Sequence, residues 1–385
     1  MKSSPPSLLE MMSQLIAKPS MSSVSPEFDT SNLEVIHLLA DWLYALDFDV
    51  EVLHLKGQPH KANLIATLGS GPGGLVLSGH TDTVPYDEGR WNHNPFALKE
   101  QSNRFYGLGT ADMKSFFALA IEAARGFQAS DMQQPLILLA TADEESSMDG
   151  AKELVTLGRP KARYAVVGEP TGMTPVMAHK GIIMEGIRLR GQSGHSSNPA
   201  LGNNAMEGMH KVIGELMAWR EELKTRYTDP LFEVPYPTLN LGHIHGGDNP
   251  NRICGECELH IDLRTLPGMD LDELRAMLEH HVGHVLAGSG LAVEVHRLID
   301  GTPAFATPMD SDIVRAAERL TGNSAEAVAF CTEGPYLDHL GMETIVLGPG
   351  DIAQAHQPDE FIQAADLKPA VDLIRGLIQR FCLAA

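Results

Sequence analysis

The chain has 385 residues, more than one hydrophobic core comfortably fills, so two domains are expected. It is 43% hydrophobic and 21% charged, and its formal net charge of -21 with no Lys/Arg cluster argues against a nucleic-acid binder. No window nears the roughly 18 uncharged apolar residues of a membrane span, and Glu10 interrupts the most apolar part of segment 1–20, so the cytoplasm is the expected location.

Helices are expected at 6–17 and 31–46, and strands at 49–55 and 63–68. After the turn SGPGG, the run LVLSG leads into His80. An amphipathic helix, ADMKSFFALAIEAARGF, begins just after Asp112. PLILLATA and YAVVG read as buried strands separated by the helical MDGAKELVTLG. This alternation predicts an α/β catalytic domain with a mostly parallel central sheet flanked by helices.

From Ile182 the pattern changes to the one-sided alternation of IIMEGIRLRG. A helix follows at 204–225, with Met206, Met209, Ile213, Leu216 and Leu223 as its apolar stripe. Two strands, PTLNLGHIHGG and NRICGECELHIDLRT, a helix in DLDELRAMLEHHVGHVL and a strand in LAVEVHRL complete a β-α-β-β-α-β order. That order is the ferredoxin-like α+β arrangement. Residues 182–298 therefore read as a domain inserted into a catalytic domain made of 1–181 and 299–385. The last part carries a helix at 311–320, the strand ETIVLG, a loop with His356, and a helix at 367–381.

Five side chains able to hold a metal stand just past such elements: His80, Asp112, Glu145, Glu169 and His356. Ligands of open α/β sheets bind beyond the carboxyl ends of the strands, so these positions suggest one site. His80 and Asp82 form H-x-D, a donor pair suited to a zinc-like ion, with His80 as ligand and Asp82 orienting its ring. Asp112 is read either as a helix N-cap or as a carboxylate shared by two ions. Glu144 and Glu145 form either a solvated acidic loop with Asp143 or a divided pair, Glu145 on metal and Glu144 free as a general base. Two divalent ions, three ligand carboxylates and one bridging hydroxide would balance in charge. His243, His245, His280, His281 and His284 are assigned structural or solvated roles. Cys254 and Cys257 are placed on opposite faces of a strand and given no metal.

In chain order LVLSGHTDTVP, GLGTADMK, ATADEES, GEPT and QSGHSS resemble the signatures of the zinc aminoacylase, carboxypeptidase and desuccinylase superfamily of dinuclear hydrolases. The resemblance spans nearly the whole chain. GRWNHNPF, PYPTLNLGHIHGGDNPNRIC, ELHIDLRTLPGMDL, FCTEGPY and LGPGDIAQAHQPDE are most similar to its acetylornithine deacetylase branch. The resemblance implies His80, Asp112 and Glu169 around one ion, and Asp112, Glu145 and His356 around the other. Zn2+ is the expected metal, with Co2+ as the alternative. It also implies Glu144 as general base on a water between the ions and Asp82 as a supporting aspartate. His195 would be an oxyanion donor reaching the other subunit of a homodimer formed through a lid domain.

Asn251, Arg264 and Lys180 are implied for the substrate α-carboxylate. Glu333 is our own assignment for an ornithine side-chain ammonium, because a carboxylate there would select a cationic substrate. The implied reaction removes the acetyl group from N2-acetyl-L-ornithine, giving L-ornithine and acetate for arginine biosynthesis. A related deacylase, such as succinyl-diaminopimelate desuccinylase or another N-acyl amino acid hydrolase, is the alternative. A metal-binding protein without activity is the more distant one. The expected partners are a small-molecule substrate and a second copy of the chain, with no nucleic acid or membrane.

Overall fold

The computed structural model describes residues 4–383. The chain divides into two compact units, the second formed by Ala178–Ala306 with Ala327–Cys331 and the first by the rest. The first unit opens with α1 (Leu8–Ile16), α2 (Leu33–Ala45), β1 (Asp49–Leu55), β2 (Gln58–Leu68) and β3 (Leu75–His80). It continues with β4 (Lys99–Gln101), β5 (Arg104–Tyr106), α3 (Lys114–Ala124), β6 (Leu136–Thr141), α4 (Asp149–Leu157), β7 (Tyr164–Val167) and the first half of β8 (Val176–His179), whose last two residues belong to the second unit. The second unit contributes β9 (Gly181–Arg190), α5 (Ala205–Arg226), β10 (Thr238–Gly246), β11 (Glu256–Thr265), α6 (Leu271–Val285), β12 (Ala292–Arg297) and β13 (Phe305–Ala306). The chain then runs through α7 (Asp312–Thr321), β14 (Glu326–Val328), α8 (Gly334–His339), β15 (Glu343–Val346), β16 (Phe361–Gln363) and α9 (Ala364–Cys382).

In the first unit β3, β6 and β7 are buried at every position, as continuous apolar strands covered on both faces must be. The strand order is β1-β2-β6-β3-β7-β15-β8. β6, β3, β7 and β15 are parallel neighbours, whereas β1–β2, β2–β6 and β15–β8 pair antiparallel. The mostly parallel sheet is thus confined to the centre. α3 is buried along its length except at Glu122, because small and apolar residues occupy all its faces. A small antiparallel sheet, β16-β5-β4, was not legible in the sequence because its strands are three residues each.

The second unit is an antiparallel sheet in the order β10-β11-β9-β12. Its core joins Ile187, Leu189, Leu259 and Ile261 to Met209, Trp219 and Leu278 of the two helices. This is the expected ferredoxin-like arrangement, with wider bounds than 182–298. The extension arises where β8 and β13 pair at Ala178–Ala306 and His179–Phe305, and where the Lys180 N–H donates to the Val328 carbonyl.

Two local readings need correction. Met206 is exposed, and the buried stripe of α5 is Ala205, Met209, Val212, Leu216, Trp219 and Leu223. Cys254 precedes β11 and shares one core with Cys257, so the two thiols do not face opposite ways. His281 has a structural role, with its ring 5.2 Å from Trp219 and its Nδ1 2.7 Å from Glu215 Oε1.

Candidate metal centre

Parallel strands end on one edge of the sheet, so the residues that follow them converge there. His80 is the last residue of β3. Glu144 and Glu145 follow β6 on a turn opened by Asp143 at φ 60°. Glu169 follows β7 after Gly168, where a Cβ would lie 2.3 Å from the Phe116 ring of α3. Asp112 ends the loop before α3, but that helix is capped by Met113, so the N-cap reading of Asp112 falls away. His356 lies in the loop after β15, also at φ 60°.

All five expected ligands meet within the first unit. Asp112 Oδ1 is 3.1 Å from His80 Nε2, and its Oδ2 is 3.6 Å from His356 Nε2. His80 Nε2 is 3.6 Å from Glu169 Oε1, and His356 Nε2 is 2.9 Å from Glu145 Oε2. Donor atoms of His80, Glu144 and Glu169 lie within 4.8 Å of one another, as do those of His80, Asp112 and Glu145. Asp112 therefore turns a separate oxygen to each imidazole, the disposition a ligand shared by two ions requires. His80 Nδ1 sits 2.9 Å from the main-chain carbonyl of Asp82. A carbonyl only accepts, so Nδ1 carries a proton and Nε2 is the ring atom that faces the cluster.

That contact changes the role expected of Asp82. Its carboxylate Oδ1 is 3.7 Å from His80 Nδ1 and does not hold the ring by a hydrogen bond. It accepts instead from the Glu144 N–H at 3.2 Å, the Glu145 N–H at 3.0 Å and the Ser22 hydroxyl at 2.6 Å. The Asp82 carboxylate fixes the loop that bears Glu144 and Glu145, and its carbonyl fixes the His80 ring.

The same loop is braced from below. The buried Lys61 donates from Nζ to Asp143 Oδ1 at 2.6 Å and to Asp29 Oδ1 at 2.7 Å. Burial pulls its amine down, but the Asp143 and Asp29 carboxylates outweigh that and hold it above the ordinary lysine value. Removing one partner of a buried pair strands the other, so Lys61→Met is expected to lower stability by about 3 kcal/mol. Urea denaturation measures this, and an unchanged midpoint would show that the pair is dispensable.

Burial, followed by carboxylate repulsion that the His80 charge offsets only in part, pushes Glu144 and Glu145 well above the usual range. Burial likewise pushes Glu169 up to about 7. His80 is buried too, yet Glu169 and Asp112 hold its ring well above the ordinary histidine value. Such a crowd of acids around two imidazoles lacks positive charge, and its nitrogen and oxygen donors suit divalent ions. The residues present therefore fit a pair of metal ions.

Peptidase family M20/M25/M40 matches residues 76–380 by its family profile. The chain belongs to this family. The M20 assignment agrees with the fold, since an M20 family metallo-carboxypeptidase from Sulfolobus solfataricus superposes with a TM-score of 0.76. That likeness covers 97% of this chain and 99% of the other at 18% identity. The Bacillus subtilis YXEP protein, described as a dinuclear metal-binding M20 peptidase, superposes at 0.68 over 97% of this chain and 98% of that one, at 14% identity. In sequence, the acetylornithine deacetylase of Proteus mirabilis (strain HI4320) is 48% identical over 379 residues, 98% of each chain. M20 enzymes are dinuclear and metal-dependent, and the carboxylate–imidazole cluster provides donors for that pair.

Other expected site residues of this M20 chain fall elsewhere. Glu333 is 1% exposed, and its oxygens accept from the Ser78 hydroxyl and, at 2.6 Å, from the Thr141 hydroxyl. Through these two hydroxyls it ties β3 to β6. In the second unit, Arg264 is engaged by Asp262 at 2.9 and 3.1 Å, and the buried Lys180 donates to the Tyr236 carbonyl at 2.7 Å. Asn251 is exposed. His195 is exposed, and its Nδ1 accepts from the Ser197 N–H at 3.2 Å with the Ser197 hydroxyl at 2.8 Å, which leaves Nε2 to carry the ring proton.

Two buried groups near the cluster escaped the sequence reading. Lys114 donates to the Lys18 carbonyl at 3.0 Å, and burial pushes its amine down to about 8. Glu360 accepts three backbone N–H groups of the loop that ends in Asp112. A single Glu in the polar stretch QPDE carries no signal that it will be buried.

Proposed function

We propose that this metal-dependent M20 deacetylase hydrolyses N2-acetyl-L-ornithine to L-ornithine and acetate. The observation that carries the hydrolytic reading is Glu144, whose carboxylate stands with His80 and Glu169 in one group of donor atoms beside the Asp112–Glu145–His356 contacts. A site built only to hold ions has no use for this additional carboxylate. The substrate is inferred from the 48% identity to the Proteus mirabilis enzyme over 98% of both chains.

His80, Asp112 and Glu169 would hold one divalent ion, Zn2+ in our reading, with Co2+ the other candidate. Asp112, Glu145 and His356 would hold the second. Bound there, the ions would polarise the acetyl carbonyl and acidify water. Glu144 takes a proton from the attacking water as the new carbon–oxygen bond forms. It then passes that proton to the ornithine α-nitrogen as the amide C–N bond breaks, so the amine leaves neutral. Asp82 keeps Glu144 in place through the two N–H groups it accepts.

The second unit would serve as lid and dimerisation domain, the chain working as a homodimer in the cytoplasm. His195 of a second copy would donate from Nε2 to the developing oxyanion. Asn251, Arg264 and Lys180 would meet the α-carboxylate, the two cations exchanging Asp262 and the Tyr236 carbonyl for substrate. No helix among the described residues is long and apolar enough to cross a membrane.

The test is initial rates on N-acetyl-L-ornithine and N-succinyl-L,L-diaminopimelate, with zinc and with chelator. Chelator-sensitive turnover of the acetyl substrate alone is expected. Preference for the succinyl substrate would replace the substrate assignment while keeping the chemistry. Turnover that survives complete metal removal would overturn both.

A further inference from the structure

We infer that Glu360 is a positioning residue for the metal centre, fastening the loop that bears Asp112 to the loop that bears His356. The inference rests on the reading of Asp112 as a ligand shared by two ions. Glu360 is 1% exposed and turns both carboxylate oxygens to main-chain donors. Oε1 accepts from the Ala111 N–H at 2.7 Å and the Asp112 N–H at 2.9 Å, and Oε2 accepts from the Gly109 N–H at 2.9 Å. The Gly107 N–H adds a fourth bond, to the Glu360 carbonyl at 3.0 Å. The loop 107–112 is thus wrapped around one side chain, helped by Gly109 at φ 85°.

Glu360 stands four residues after His356, on a segment also fixed at its neighbour. Asp359 Oδ1 accepts from the Asn92 and His93 N–H groups at 2.8 and 3.1 Å. His356 is therefore delivered by a loop whose other end grips the backbone of Asp112 itself. The two Asp112 oxygens face imidazoles at 3.1 and 3.6 Å, so their spacing depends on where that backbone is held.

A carboxylate is the side chain this task needs, because only an all-acceptor group meets three converging N–H groups. Glutamine would oppose one of them with its own NH2. Aspartate keeps the charge but is one methylene short of the loop.

The experiment is a Zn2+ titration of metal-free protein against a competing chromogenic chelator, for wild type, Glu360→Gln and Glu360→Asp, with melting of the metal-free forms alongside. Groups that support metal ligands typically change metal affinity by about 10- to 100-fold. At least a tenfold loss of Zn2+ affinity in the variants is expected, with kcat falling more than KM changes. Affinity within twofold of wild type would overturn the inference even if the metal-free melting temperature dropped, since that pattern marks a merely structural brace. If Glu360→Gln fails to fold, Glu360→Asp decides on the same criterion. Wild type that binds no Zn2+ pair would instead overturn the metal-centre reading, and the inference with it.

Discussion

Glu144→Gln is expected to lower kcat on N-acetyl-L-ornithine by about 10³-fold while leaving zinc content and substrate affinity close to wild type. Glutamine matches glutamate in size and keeps the backbone N–H that Asp82 accepts. What disappears is the ability to take up a proton and release it. Burial already holds the Glu144 carboxyl well above the usual range, the direction that favours proton uptake by a general base. Rates measured beside metal analysis separate the outcomes. Activity within tenfold of wild type would remove Glu144 from the reaction, whereas loss of zinc together with activity would recast it as a ligand.

Asp112→Ala is expected to reduce bound zinc from two ions per chain to one or fewer and to bring turnover to background. Each Asp112 oxygen faces a different imidazole, so removing the carboxylate takes a donor from both positions. Glu145→Ala or Glu169→Ala would remove one donor from one position only. Metal analysis after dialysis against a weak chelator checks this. An Asp112→Ala protein still holding two ions with undiminished affinity would show that the carboxylate is not shared.

The residues of the centre were readable because they follow the most regular signals in the chain. The apolar runs of β3, β6 and β7 announce buried strands, and polar residues after such runs stand on one edge of a parallel sheet. Partners set by tertiary packing were not readable. Lys61 and Asp143 are 82 residues apart and Gly109 and Glu360 are 251 apart, distances across which local pattern carries no information. Asp82 illustrates a subtler failure: its position predicted support for the centre, but carbonyl and carboxylate divide the work in a way only backbone direction decides. Nothing in FCTEGPY announces that Glu333 is buried, because the hydroxyls that engage it come from Ser78 and Thr141, far away in sequence. The antiparallel flanks of the sheet were missed because pairing direction leaves little trace in a strand's own residues.

Glu145 and His356 touch at 2.9 Å although they stand 211 positions apart, and the whole second unit lies between them in sequence. A ribosome has therefore made the inserted unit before it makes His356 or Glu360. Until then the nascent chain holds His80, Asp112, Glu144, Glu145 and Glu169 without the histidine that joins the last of the ligands. On the proposed ligand set, the position shared by Asp112, Glu145 and His356 would be complete only once the final segment of the first unit has been made.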